Sequence, residues 1–100
     1  MIDRINKNEE RLDSIILILK TIEEDLSIFK SNKKNIVLLN KYYGSKNWFK
    51  DKEAYENNKI EKIKAGVLSE DAVWNMNEEL DSLIFEMKRI VDDYYSSKKE

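Results

Sequence analysis

Apolar residues recur along this chain in two long ladders. Ile5, Leu12, Ile15, Leu19, Ile22, Leu26 and Phe29 form the first, which opens with a step of seven and then alternates three and four. Val73, Met76, Leu80, Leu83, Met87, Ile90 and Tyr94 form the second, with the same alternation throughout. This is the a/d seam of helices that pack on other helices, and it does not fit the period of two that strands need. Ile16 and Ile18 broaden the first seam, and Trp74, Ile84 and Val91 flank the second. Faces of that width predict a globular bundle and not a bare coiled-coil rod. Pro is absent and the only glycines are Gly44 and Gly66, so the punctuation that sheets and tight loops use is missing. The fold class expected is all-α: a small helical bundle of two long heptad-patterned helices with shorter helices and a loop between them.

Cap residues place the boundaries. The first long helix is expected over about 3–30. Ser31 or Asn32 can cap a second helix over about 33–43, carrying Ile36, Val37, Leu39 and Tyr43, although residues 30–35 can equally run straight through. Gly44 offers a left-handed stop. Ser45 can cap a short helix over about 46–57 with Trp48, Phe49 and Tyr55, ended by Asn57-Asn58. Residues 58–68 read as a turn and loop. Ser69 then caps a long helix over about 70–95, with Glu70 and Asp71 where the helix dipole is positive, and Ser96 to Glu100 read as a frayed end. Two long helices of about 25 residues, each roughly 38 Å, match in length and are expected to pair along their seams. One hundred residues suggest a single domain, 1–100.

What the chain lacks excludes several classes. Without His or Cys, neither a Ser-His-Asp nor a Cys-His arrangement can be built, and zinc-thiolate and ferritin-like Glu-x-x-His metal sites are ruled out. The longest apolar run, Ile15 to Leu19, is far short of the roughly 20 residues that span a bilayer. Met1-Ile2-Asp3-Arg4 does not open like a signal peptide. A cytoplasmic location is therefore expected, in keeping with the absence of cysteine. The Lys, Asn and Ile usage is that of AT-rich bacterial or phage coding sequence.

The remaining general bases are carboxylates, Lys and Tyr, so enzymatic function is disfavoured and no cofactor or metal is expected. Asp51, Glu53 and Glu56 are a conceivable carboxylate cluster, as are Glu78 and Glu79, but in a chain with 20 acidic residues such pairs arise on any solvated face. Glu53-x-x-Glu56, Glu10-x-x-Asp13 and Glu78-x-x-Asp81 have the spacing of an all-α nucleotide pyrophosphatase. The last two pairs fall opposite the seams, towards solvent.

Charge is unevenly spread. Residues 1–29 carry four basic and seven acidic groups, residues 30–64 ten and four, and residues 65–100 four and nine. The basic middle holds an aromatic stretch, Tyr42-Tyr43-Gly44-Ser45-Lys46-Asn47-Trp48-Phe49-Lys50-Asp51. Interleaved cations and rings are also a platform for single-stranded nucleic acid, but Arg is scarce and the chain has a pI of about 5.3. Nucleic acid is thus not the partner expected. Trp48 and Phe49 can instead plug the end of the helix pair, with Tyr43 packing beside them and the Tyr42 hydroxyl in water. Attraction between the basic insert and the acidic helices is the plain structural account of the charge pattern.

Tyr42-Tyr43-Gly44-Ser45, then Trp48, Asp51 and Glu53, then Gly66-Val67-Leu68-Ser69-Glu70-Asp71 resemble an uncharacterised bacterial family catalogued as domain of unknown function 4298. The likeness covers nearly the whole chain. Members of that family often have Pro near the position of Lys34, and a Leu-Pro before their Leu-Lys-Arg-Gly, where this chain has Lys59-Ile60 and Ile63-Lys64-Ala65-Gly66. The resemblance implies a bacterial all-α fold and assigns no catalytic residue.

The expected function is a small non-enzymatic protein-binding or adaptor module that uses the basic-aromatic insert as its contact surface, with Tyr42, Lys46, Trp48, Lys50, Asp51, Lys52 and Glu53 as the binding residues. A protein partner is expected. Homodimerisation is a further prospect, because the broad face of the last helix needs cover. The alternatives are an inhibitor of immunity or phage anti-defence type, which would present acidic helices 1–29 and 70–93 to a basic groove, and a carboxylate enzyme dependent on a divalent metal.

Overall fold

The computed structural model describes residues 1–98 and contains three α-helices and one 3-10 turn, with no strand among them. The all-α class expected from the two ladders is what the chain adopts. Helix α1 spans Ile2–Tyr42, α2 Lys46–Glu56 and α3 Glu70–Lys98, with the 3-10 turn at Gly66–Leu68. Among the described residues no helix is long and apolar enough to cross a membrane. Where length alone suggests one domain, the chain falls into two compact units, Met1–Leu38 and Leu39–Glu100.

The first unit is helical from Ile2 onward. The expected division into helices over 3–30 and 33–43 does not occur, because neither Ser31 nor Asn32 acts as a cap. Both side chains turn back on the preceding turn and donate to the Ile28 carbonyl at 2.8 Å. Ser and Asn have this choice wherever the backbone is already helical, and no Pro or Gly forces them out of it. Asn35 adds a bond to the Asn32 amide oxygen at 3.2 Å. The helix therefore runs 41 residues, about 62 Å, against 29 for α3, so the expected match in length is replaced by a long helix and a shorter one. No residue of α1 is buried, and the seam residues from Ile5 to Leu26 are each about half exposed.

The second unit is built on caps. Gly44 takes φ 77° and turns the chain out of α1, a conformation that costs a residue with a Cβ. Ser45 then caps α2: its hydroxyl accepts from the Trp48 amide at 3.2 Å. At the other end Asn58, with φ 58°, forms a Schellman motif. Its N–H donates to the Tyr55 carbonyl at 3.2 Å, and that of Lys59 to the Ala54 carbonyl at 2.8 Å. Ser69 caps α3 by accepting from the Ala72 amide at 3.0 Å. Asn40 and Asn77 exchange amide hydrogen bonds at 3.3 and 2.8 Å and join the end of α1 to α3.

Candidate functional site

Starting from the Ser45 cap, α2 separates the insert into two faces. Trp48 faces inward and is only 4 % exposed; with Leu68 and Val73 it makes the buried core of this unit. Its indole N–H donates to the Val67 carbonyl at 2.9 Å. Tyr43 and Phe49 meet its ring edge-on, with centroids 5.2 and 4.9 Å away. Tyr43 is held in turn by its hydroxyl, which donates to the Glu70 carbonyl at 2.8 Å. Trp48, expected in the contact surface, is therefore a core residue. The indole is the largest apolar group available to close the space between α2 and the 3-10 turn, and its one polar atom finds a backbone acceptor there.

Tyr42 and Asp51 also move out of the free surface. The Tyr42 hydroxyl does not point into water but donates to the Asp51 Oδ2 at 2.7 Å, tying the last turn of α1 to the middle of α2. That hydrogen bond, then burial, then the carboxylate charge raise the phenol from 10.0 to about 12. Because the folded value lies above the unfolded one, the stabilisation is complete below pH 10 and disappears as pH rises through about 12. One of the five tyrosines is therefore expected to ionise late in an absorbance titration at alkaline pH. Tyr42→Phe should remove that late step; a curve that loses only an earlier step would break the assignment.

Lys52 is held as firmly. Its ammonium lies 3.1 Å from Glu70 and 3.9 Å from Glu56, and 5.3 Å from the centroid of the Trp48 ring. Glu56 is thereby engaged, Asp51 accepts from Tyr42, and Glu53 faces solvent, so these carboxylates do not converge. Among the described residues no group of three or more metal-ligating side chains comes together. A cleft of about 220 Å³ lies beside Lys52, Tyr55, Glu56, Ala65, Leu68 and Ser69, below the roughly 300 Å³ at which small-molecule sites begin. Under it, the irregular segment is anchored by Tyr55, whose hydroxyl donates to the Ile63 carbonyl at 3.3 Å. Lys62 donates to the Tyr55 carbonyl at 3.2 Å and lies 4.3 Å from the centroid of its ring.

The outward face of α2 holds what is left: Lys46, Phe49, Lys50 and Glu53, all exposed. These positions follow the i, i+3, i+4, i+7 spacing of a single helical stripe. Phe49 is 60 % exposed, although its ring edge also contacts Trp48. Of the seven residues expected to bind, the structure thus brings Lys46, Lys50 and Glu53 together on one surface. It assigns Trp48, Tyr42, Asp51 and Lys52 to internal bonds. Phe49, which sequence reasoning placed in a plug, completes the stripe. Counting helical positions from the Ser45 cap separates Phe49 from Trp48, and that signal was available in the sequence.

A family model described as "Domain of unknown function (DUF4298)" matches residues 5–90. No curated protein and no solved structure shows significant similarity to the chain.

Proposed function

Since the chain belongs to the DUF4298 family, whose description assigns no activity, we propose a function from its own residues: a non-enzymatic protein-binding module whose contact surface is the outward stripe of α2. The observation that carries this reading is Phe49, an aromatic ring 60 % exposed between Lys46 and Lys50 on a helix fixed at both ends by caps. Aromatic anchors on rigid elements are what protein interfaces use, with charged residues at the rim to orient the partner. Two lysines against one glutamate favour a partner surface that is acidic and offers an apolar recess. The reading extends to a bacterial cytoplasmic setting, supported by the family resemblance and by a chain that carries no cysteine.

Capture from a host lysate by the full chain, compared with Phe49→Ala/Lys50→Glu, tests the surface. The double variant is expected to lose the specific partner at least tenfold while staying folded, its melting temperature lowered by several degrees at most, since both side chains are exposed and only the edge contact of Phe49 with Trp48 is lost. Retention of the same partner at the same yield would refute the assignment.

A further inference from the structure

The stripe of α2 leaves the other large apolar feature of the chain unused. In heptad terms, residues 1–29 place Ile5, Leu12, Leu19 and Leu26 at a, and Ile15, Ile22 and Phe29 at d, with Asn8 as the one polar residue inside the seam. A helix cannot cover its own stripe, and isolated helices in water are marginal without packing. The length of α3 limits what it can contribute. Measured from the hydrogen-bonded Asn40–Asn77 pair, α1 runs back to Ile2 over about 57 Å, whereas α3 runs on to Lys98 over about 32 Å. By length alone, α3 is too short to run beside the whole of the α1 seam.

The charges beside the seam say what fits it. Positions g and e hold Arg4 and Glu9, Arg11 and Ile16, Ile18 and Glu23, Asp25 and Lys30. In a parallel, in-register pairing each g residue meets the e residue five positions later on its neighbour. Arg4 then meets Glu9 of another copy, Asp25 meets Lys30 of another copy, and no like charges meet. Over residues 1–22 four basic and four acidic groups balance; the acidic excess of the segment, Glu23, Glu24 and Asp25, is confined to its last turns, where Asp25 meets Lys30 of another copy. Leu at a with Ile at d favours assemblies of three or four parallel helices over two, and the apolar Ile16 and Ile18 at e and g suit the broader contact of such assemblies.

We propose that residues 2–29 of α1 form a parallel, in-register coiled coil with the same segment of two or three further copies of this chain. The seam shares no residue with the α2 stripe, so substitutions can address each surface separately.

Sedimentation equilibrium of the full chain at micromolar to hundred-micromolar concentration is expected to give three or four times the chain mass of 11.9 kDa. A spin label on Lys7→Cys, the only cysteine in that variant, reports direction. A parallel seam keeps the labels within about two helix diameters, roughly 20–25 Å, whereas antiparallel pairing of residues 2–29 sets residue 7 opposite residue 24 and adds about 26 Å along the axis to the lateral separation. Leu12→Glu should give single chains. Since that variant can also lose helix, Arg4→Glu is the second arm: it should weaken association about two- to fivefold per contact, and adding Glu9→Arg should restore it. A single-chain mass across the concentration range, widely separated labels in an associated species, or assembly indifferent to Leu12→Glu would each overturn the proposal.

Discussion

Trp48→Ala is expected to cost the unit Leu39–Glu100 about 3–5 kcal/mol, the range for removing a large buried aromatic. For so small a unit that is most of its stability. The effect has three physical sources. The indole leaves a cavity against Leu68 and Val73, the only other buried side chains described. The Val67 carbonyl loses the donor 2.9 Å away, and Tyr43 and Phe49 lose their edge contacts. Urea denaturation followed by the fluorescence of Trp74, which is exposed and untouched, measures the loss. Trp48→Phe isolates one part of it: much of the volume returns, but the Val67 carbonyl stays unpaired, at about 1–3 kcal/mol. A Trp48→Ala midpoint equal to that of the parent would return Trp48 to the surface and reopen it as a contact residue.

Lys33→Pro should be the most damaging single change in α1. If Asn32 were a cap, position 33 would open a new helix, where Pro is the favoured residue. In the continuous helix Ile2–Tyr42 the same Pro removes the hydrogen bond to the Phe29 carbonyl and clashes with it, at about 3 kcal/mol or more. Two observables separate these cases: ellipticity at 222 nm, and amide exchange across residues 25–37. Continuity predicts a clear loss of signal and fast exchange around the substitution. An unchanged spectrum would restore the break at Ser31-Asn32.

What could be read from the chain, and what could not, follows from how local each determinant is. The all-α class, Gly44, and the Ser45 and Ser69 caps rest on the period and on residues acting within three positions of themselves, and they are visible in sequence. The continuity of α1 was not, since Ser31 and Asn32 have the same chemistry whether they cap forward or bond back to Ile28. The site was partly legible. Lys46, Lys50 and Glu53 were identified by charge alone, but charge could not separate them from Lys52, whose partner Glu70 is 18 residues away. Trp48 was ambiguous for a similar reason. Its acceptor is the backbone oxygen of Val67, and Tyr43 likewise bonds the Glu70 carbonyl, and backbone acceptors leave no mark on composition or pattern.

The Asn40–Asn77 pair has a consequence for how the molecule responds to its surroundings. More than a third of this chain is charged, and its ion pairs at Lys52, Lys88 and Arg89 weaken with salt. The join between the end of α1 and α3 is made from two neutral carboxamides, each donating to and accepting from the other. Nothing in that bond titrates and little of it is screened. The contact between the last turn of α1 and α3, like the bond from the Tyr43 hydroxyl to the Glu70 carbonyl, is thus a neutral one that salt leaves largely alone.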